Sequence, residues 1–331
     1  MLLAGDIGGT KTVLALFTAE NGPHLPLHIA RYKNREFGSL KEIIHSYIDT
    51  LPTRPSMASF GVAGPVDDGR VFVTNLPWIV DAQAISQKTD DMPVFLINDL
   101  EAIAYSIPIL NSHDLTSIKE GEREAEGSIA VIAPGTGLGE AYLFWDGRHY
   151  RPIPSEGGHT DFAPATTLEI ELLAYLHTKM KHVSYERVCS GLGIPNLYDF
   201  FRDTGKYPEP DWLRCKLAGQ PDKTPLIIQT AITKEAEICE ATLNMFIGIL
   251  GSEAGNLVLQ VLATGGVYLA GGIPPRILDS LINGPFFEAF TRKGRFSSML
   301  VQVPVDVIIN DEAALYGAAN YGLLQVGAGK M

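Results

Sequence analysis

Apolar runs interrupted by short glycine turns appear in both halves of the chain. Residues 2–7 and 11–17 are largely apolar and flank the turn Gly8-Gly9-Thr10. Residues 129–134 and 138–144 flank the turn Gly135-Thr136-Gly137 in the same way. A short polar turn between two apolar runs predicts a β-hairpin. The repeated plan predicts two domains that each open with a hairpin.

A further strand pattern lies between these hairpins. Asp68-Gly69 is a favoured turn dipeptide and predicts a hairpin of its own. The apolar run at residues 93–97 predicts a buried strand, and it ends in Asn98-Asp99.

Helical periodicity is strongest in the second half. Thr166 precedes Glu169 by the spacing of a capping box, and a helix face should follow at Leu168, Leu172 and Leu176. A strand at residues 303–309 leads to a last helix that starts near residue 310. Because strands and helices alternate, the chain is predicted to be α/β.

A long helix is predicted from about residue 233 to residue 263. Gly265-Gly266 would end it as a C-terminal cap. The predicted helix contains Gly248, Gly251 and Gly255. Because glycine inside a helix costs stability, we expect that another backbone packs closely against the helix at these positions.

Composition narrows the classes of function. The 331 residues include 26 Lys and Arg against 38 Asp and Glu, a net charge of −12, and 46% are hydrophobic. This excludes a disordered chain and argues against a nucleic-acid partner. No secretory signal and no membrane-spanning apolar run is recognisable, so a cytoplasmic protein without a membrane partner is expected. The thiols are expected to be free and buried, since Cys189, Cys215 and Cys239 are far apart.

Three glycine turns stand at the ends of predicted strands: Gly8-Gly9-Thr10, Gly135-Thr136-Gly137 and Gly271-Gly272. Without side-chain bulk, their N–H groups could approach phosphate oxygens. Neither the P-loop pattern nor a strict GxGxxG is present. An ordinary tight turn is the alternative for each one, but three together favour nucleotide binding.

Carboxylates stand at the ends of two predicted strands, residues 2–7 and 93–97. Asp6 precedes the first glycine pair and could hold hydrated Mg²⁺ beside phosphate, or simply form an Asx turn. Asp99 could accept a hydroxyl proton, and Asn98 could hydrogen-bond a substrate hydroxyl. The alternative for Asn98-Asp99 is a helix cap.

A third polar cluster is the segment 156–161, Glu-Gly-Gly-His-Thr-Asp. Glu156, His159 and Asp161 could ligate a metal, but no second His or Cys lies nearby, so hydroxyl recognition is favoured over metal binding. A purely structural loop is the alternative. Glu186 is predicted in the first turn of a helix, where the helix dipole alone would favour an acid.

The order of these segments resembles that of the bacterial-type glucokinases, in the hexokinase/actin-like ATPase superfamily. The resemblance covers essentially the whole chain and rests on six segments: 5–10 (GDIGGT), 97–100 (INDL), 135–139 (GTGLG), 156–164 (EGGHTDFAP), 186–191 (ERVCSG) and 269–273 (LAGGI).

The resemblance implies a two-domain actin-like ATPase (ribonuclease H-like) fold with an interdomain cleft. Its small domain would comprise residues 1–108 plus 312–331, and its large domain residues 109–311. The sequence leaves the oligomeric state open, and a symmetric homodimer is expected only because dimers are the commonest symmetric assembly.

The implied reaction is phosphorylation of D-glucose by ATP, with Asp99 as the general base and Mg²⁺ held by Asp6 through water. Glucose would be bound by Asn98, Asp99, Glu156, His159 and Glu186. ATP would be bound by Gly5, Asp6, Ile7, Gly8, Gly9, Thr10, Thr136, Gly137, Gly271 and Gly272, the last two near the adenosine.

The sequence also bears on other functions that this scaffold could support. The related family of repressors, open reading frames and kinases usually carries a cysteine-rich zinc motif after its His, and none follows His159. A sugar-responsive regulator would need a helix-turn-helix before the strand that starts at Leu2. An actin-like assembly ATPase would leave the segment 156–161 unexplained. Another hexose, or polyphosphate as donor, stays open.

Overall fold

Parallel strands joined by helices organise both halves of the chain in the computed structural model, which describes residues 1–74 and 76–328. One unit comprises residues 1–115, 148–153 and the C-terminal stretch from residue 310. The second unit comprises residues 116–147 and 154–309.

The first unit contains eight strands and three helices up to residue 106, in chain order: β1 (Leu2–Ile7), β2 (Lys11–Phe17), β3 (His28–Lys33), α1 (Leu40–Ile48), β4 (Met57–Val62), β5 (Val66–Asp67), β6 (Arg70–Phe72), β7 (Ile79–Asp81), α2 (Ala82–Ser86), β8 (Val94–Asn98) and α3 (Asp99–Ser106).

The elements that follow are β9 (Leu115–Lys119), β10 (Ile129–Pro134), β11 (Leu138–Trp145), β12 (Tyr150–Ser155), α4 (Thr167–His177), α5 (Ile194–Asp203), α6 (Asp211–Leu217), α7 (Thr224–Ile232), α8 (Glu237–Val261), β13 (Gly266–Leu269), α9 (Leu278–Asn283), α10 (Phe286–Thr291), α11 (Ser297–Gln302), β14 (Val305–Ile308) and α12 (Ala313–Ala328). Helix α12 belongs to the first unit.

The main sheet of the first unit has the strand order β3-β2-β1-β4-β8. The hairpin β1–β2 is antiparallel, whereas β4 and β8 run parallel to β1, so the carboxyl ends of β1, β4 and β8 share one edge. The predicted strand forms, but because β8 is an edge strand, Ile97 is fully buried whereas Val94, Phe95 and Leu96 are only half-buried.

Helix α12 packs on α3 in the same unit. A Cβ built at Gly317 would lie 1.6 Å from the carbonyl oxygen of Ala102, so only glycine permits this approach. Ala102, Ala318 and Ile97 form a small apolar cluster at the contact. The chain end therefore supports the helix that begins with Asp99.

The hairpin predicted at Asp68-Gly69 is confirmed between β5 and β6. Both turn residues have left-handed backbone, with φ of 45° at Asp68 and 71° at Gly69. This is the turn geometry that the dipeptide favours.

In the second unit, the parallel strands β10, β13 and β14 continue the hairpin β10–β11. Helix α8 lies in the core against β10. It is long and apolar enough to span a bilayer by length and composition, yet 78% of its apolar window is buried inside the protein, as in a core helix.

The predicted long helix is confirmed in position, since α8 runs from Glu237 to Val261 within the predicted range of about 233 to 263. Its predicted cap is wrong, because Leu262, a left-handed residue with φ of 50°, caps the helix in place of Gly265-Gly266. Gly266 instead opens β13.

The explanation for the helix glycines holds at two positions. A Cβ would lie 2.3 Å from the Phe286 carbonyl oxygen at Gly251, and 2.5 Å from that of Phe290 at Gly255. The backbone of α10 therefore requires glycine there. Gly248 has no such contact.

The cap of α4 is confirmed, because the Thr166 hydroxyl accepts a hydrogen bond from the Glu169 N–H at 3.2 Å. Leu172 and Leu176 are buried, but Leu168 lies at the exposed rim of the helix and does not join them.

The prediction of buried free thiols holds for two of the three cysteines. Cys189 and Cys239 are buried free thiols, whereas Cys215 is exposed, since the apolar face of α6 is formed by its leucines.

Candidate active site

The carboxyl edge of the first-unit sheet collects the polar residues predicted from the sequence. Ile7 pairs with Val62, and Val62 pairs with Asn98, so β1 and β8 end at the same level of the sheet. Asp6 therefore stands near Asp99, and the two carboxyl groups interact electrostatically. Open α/β sheets bind ligands at this edge.

Asp99 is the first residue of α3 and has a raised pKa, because burial disfavours its charged form. Hydrogen bonds from the N–H groups of Leu100 and of Asp99 itself, and from Asn98, act in the opposite direction. One of its oxygens accepts from the Leu100 N–H at 3.0 Å. The result is a carboxylate with strengthened basicity, as a general base requires.

Asp6 is perturbed further. Burial and the neighbouring Asp99 raise its pKa from 3.8 to about 6, while Lys11 acts to lower it. Two carboxyl groups that repel each other in a buried setting favour a cation between or beside them. The donor set therefore fits Mg²⁺, which prefers carboxylate and water oxygens.

Asn98 is the N-cap of α3, as the alternative interpretation proposed. Its Oδ1 accepts from the Leu100 N–H at 2.9 Å, and its Nδ2 donates to the Gly64 carbonyl at 2.9 Å. These bonds fix the side chain and leave further donor and acceptor capacity for a substrate hydroxyl.

The Gly8-Gly9-Thr10 turn is anchored by a residue that the sequence did not point out. Asn34 is buried, its Nδ2 donates to the Gly8 carbonyl at 2.8 Å, and its Oδ1 accepts from the Thr12 hydroxyl at 2.8 Å. Its N–H also donates to the Thr10 carbonyl. With these carbonyl groups engaged, the N–H groups of Gly9 and Thr10 have no partner among the described residues.

A cavity of about 480 Å³ opens beside this turn, lined by Gly9, Thr10, Lys11, Lys33, Arg35 and Leu76. Lys11 and Lys33 are direct neighbours across β2 and β3. Like charges in that position destabilise a sheet, and no ion pair to either is present in the described ranges. The cavity is thus suited to an anion.

In the second unit, the turn Gly135-Thr136-Gly137 is held through its carbonyl groups. The N–H of Gly191 donates to the Gly135 carbonyl at 2.8 Å, and that of Leu192 to the Thr136 carbonyl at 3.1 Å. The N–H groups of Thr136 and Gly137 lack partners within the described part of the chain.

Gly271 lies against the same hairpin. Its φ is 81°, and a Cβ there would lie 2.6 Å from the Pro134 carbonyl oxygen. Gly272 is exposed and faces open space. The fold thereby brings the second and third glycine turns together in one unit.

Glu186 adjoins the second turn. One of its carboxylate oxygens accepts from the Leu138 N–H at 3.1 Å, and a Cβ at Gly137 would lie 2.4 Å from that oxygen. Glu186 belongs to a 3₁₀ turn, Tyr185–Arg187, instead of the predicted α-helix. Its bond to the turn gives it a position that a helix-dipole role does not explain.

The segment 156–161 presents Glu156 and His159 to solvent, 3.8 Å apart between Oε2 and Nε2. Asp161 pairs with His182 at 3.1 Å, away from these two. No cluster of three or more metal-binding side chains is found in residues 1–74 and 76–328. The carboxylate of Glu156 and the imidazole of His159 thus lie side by side at the surface.

Gly5 and Ile7 occupy core positions in β1. Ile7 is fully buried, and a Cβ at Gly5 would collide with the side chains of Leu14 and Phe60. They support the first turn from within the sheet and do not face a ligand through side chains.

Comparisons with known proteins identify the family of this chain. The glucokinase family model matches residues 3–324. The chain belongs to the glucokinase family. A glucokinase of Nostoc sp. is 40% identical over 96% of this chain and 98% of its own length. The predicted family is therefore confirmed.

Solved structures extend the likeness to the fold. Glucokinase from an Antarctic psychrotroph is 36% identical, with a TM-score of 0.85, over 97% of this chain and 98% of that one. A ROK family glucokinase from Streptomyces griseus, solved in complex with glucose and AMPPNP, is 18% identical with a TM-score of 0.62. The match covers 97% of this chain and 98% of that one, and it shows a shared fold alone. The predicted actin-like ATPase fold class is confirmed.

Proposed function

We propose that the chain transfers the γ-phosphoryl group of ATP to the 6-hydroxyl of D-glucose. The observation that carries this proposal is the shared edge of β1 and β8, where the phosphate-sized turn Gly8–Thr10 and the basic carboxylate of Asp99 stand together. Membership of the glucokinase family supports the choice of sugar and donor.

Asp99 would accept the proton of the 6-hydroxyl while that oxygen attacks the γ-phosphorus. The bond from the γ-phosphorus to the bridging oxygen breaks, and ADP leaves. Phosphoryl transfer asks the protein mainly for positioning and charge stabilisation. The free N–H groups of Gly9, Thr10, Thr136 and Gly137 would serve the phosphate oxygens.

Sugar hydroxyls would be bound by Asn98, Asp99, Glu156, His159 and Glu186, and Gly271-Gly272 would lie near the adenosine. Each of these carboxylate, amide and imidazole groups can pair with a hydroxyl. A sugar that lacks one hydroxyl leaves such a group unpaired and is disfavoured.

Mg²⁺ belongs to the same proposal. Asp6 would hold it through water, and the ion would supply positive charge to the phosphate oxygens. The raised pKa of Asp6, caused by burial and by Asp99, supports a cation at this position.

Three further expectations stay predictions. The division into residues 1–108 plus 312–331 and residues 109–311, with closure on sugar, is tested by small-angle X-ray scattering with and without glucose. The homodimer is tested by light scattering coupled to size-exclusion chromatography. Cytoplasmic location is tested by cell fractionation.

The decisive assay couples ADP release to a panel of glucose, mannose, fructose and glucosamine, with ATP or polyphosphate as donor. We expect glucose with ATP to give the highest kcat/KM. Asp99→Asn should lower kcat by about 10²–10⁴-fold while ATP and glucose still bind, since general-base catalysis has that magnitude.

The matched control is Asp49→Asn, at an exposed carboxylate that follows α1. It should retain the full rate. Near-normal turnover by Asp99→Asn would remove Asp99 as the base.

A further inference from the structure

Glu140 is a buried acid in strand β11 that the mechanism above does not use. Its side chain is 1% exposed, and both carboxyl oxygens are buried without a hydrogen-bond partner among the described residues. An acid that is buried without a hydrogen-bond partner costs stability, so its presence calls for an explanation.

The Glu140 carboxyl group lies directly against the segment that presents Glu156 and His159. A Cβ built at Gly157 would lie 1.9 Å from Glu140 Oε2, and one at Gly158 would lie 2.2 Å from the Leu138 carbonyl oxygen. The segment backbone therefore rests on β11, and Glu140 forms the surface under Gly157.

The surroundings of Glu140 disfavour its charged form. Burial, together with the buried Glu253 of α8, raises its pKa to about 8. Glu253 itself accepts hydrogen bonds from Asn256, at 2.8 Å, and from the Tyr185 hydroxyl. Glu140 has no such donor within the described residues and is the protonated member of the pair at neutral pH.

We propose that Glu140 is a positioning residue for the sugar: its uncharged carboxyl group fills the space beneath Gly157 and holds Glu156 and His159 in their binding geometry. The inference rests on the proposed function, in which those two residues bind glucose. Ionisation would place a second negative charge beside Glu253 and drive the carboxylate toward water. The segment above it would then move, and sugar affinity would fall in alkaline solution.

The pKa values of the other titratable groups near Glu140 are shifted in different directions. Burial and the two glutamates raise the pKa of Tyr142 and of Cys189, and burial and Glu253 raise that of Tyr185, so these groups stay neutral as the pH approaches 9. Burial lowers the pKa of Lys293, which donates to Ser252 and Asn256 behind Glu253. Glu156 and His159 lie on the solvent side of the segment. A variant of Glu140 itself therefore separates its titration from theirs.

The experiment measures KM for glucose, KM for ATP and kcat at pH 7 and pH 9 in the full-length enzyme. For the native chain, we expect the glucose KM to rise about 5-fold or more between these pH values, while the ATP KM changes less than about 2-fold. Glu140→Gln keeps the volume and cannot ionise. It should match the native glucose KM at pH 7 within about 2-fold and lack the alkaline rise.

Glu140→Ala removes the support, and its glucose KM should rise about 5-fold or more at pH 7 with kcat nearly preserved. The matched control is Glu169→Gln, at another buried glutamate of this unit, which bonds the Ala165 N–H. It should keep the native pH profile. Thermal unfolding confirms that each variant is folded.

A Glu140→Gln enzyme that retains the alkaline rise overturns the proposal, as does a Glu140→Ala enzyme with the native glucose KM. Glu156→Gln is measured in parallel. If it leaves the glucose KM unchanged, the assignment of sugar ligands fails; if it raises that KM while both Glu140 variants behave as the native chain, only the present inference fails.

Discussion

Asn34 offers the sharpest test of how the first glycine turn is built. Asn34→Ala removes a donor to the Gly8 carbonyl and an acceptor for the Thr12 hydroxyl, both at 2.8 Å. Thr12 is fully buried, so its hydroxyl would lose its partner without access to water. A buried group left unpaired costs on the order of 1–3 kcal/mol; because Gly8 is only half-buried, we expect a total loss of about 2–4 kcal/mol.

Asn34→Asp separates shape from hydrogen bonding. The aspartate keeps the acceptor for Thr12 but turns an oxygen toward the Gly8 carbonyl oxygen, where the asparagine had a donor. The turn should shift away from the added negative charge, and the ATP KM should rise in both variants while the glucose KM changes little. Urea unfolding followed by circular dichroism gives the stability, and steady-state kinetics give the two KM values.

The control is Asn283→Ala, because Asn283 makes a single exposed bond to the Asp279 carbonyl. It should stay within about 0.5 kcal/mol of the native chain. If Asn34→Ala unfolds as late as this control, the energetic reasoning is refuted. A large loss of stability with a native ATP KM would show that Asn34 does not set the turn for nucleotide binding.

Two further predictions concern Asp6 and Gly137. The pKa of Asp6 is about 6 in the folded protein against an ordinary 3.8, so the contribution of Asp6 to stability declines by roughly 3 kcal/mol as the pH rises from about 4 to about 6. Asp6→Asn should therefore unfold later than the native chain at pH 8, yet turn over more slowly. Equal stability of the two proteins at pH 8 would contradict the raised pKa. Gly137→Ala should displace Glu186 and raise the glucose KM. Gly135→Ala is the control and should leave the glucose KM unchanged, because a Cβ there meets nothing within 4 Å. Identical KM values for the two variants would indicate that Glu186 has a purely structural role.

Local sequence patterns are sufficient to predict the glycine hairpins, the Asp68-Gly69 turn and the helix cap at Thr166. Each depends on residues adjacent in sequence, so no tertiary information is required. The capping residue of α8 could not be predicted, because Leu262 adopts a left-handed backbone that leucine rarely takes, whereas a glycine pair a few residues later has the composition of a typical cap.

The residues that support the site were harder to foresee. Asn34 is separated from Gly8 in sequence by two strands, and no local sequence pattern indicates that its side chain contacts the Gly8 carbonyl. Glu140 carried one usable signal, an acid inside the apolar run of β11, but its contact with Gly157 depends on how the chain folds back between them. The ligand-facing residues lie in recognisable segments, whereas their anchors are fixed by packing.

The contact of Gly317 with Ala102 also bears on the order of folding. The helix that begins with Asp99 is covered by α12, which lies far from it in the sequence. Contacts between segments so far apart in sequence carry a high entropic cost of closure and form slowly. Until α12 has docked, α3 would expose an apolar flank to water, and exposed apolar surface of this kind favours aggregation. The position of Asp99 would therefore be fixed only once α12 has docked.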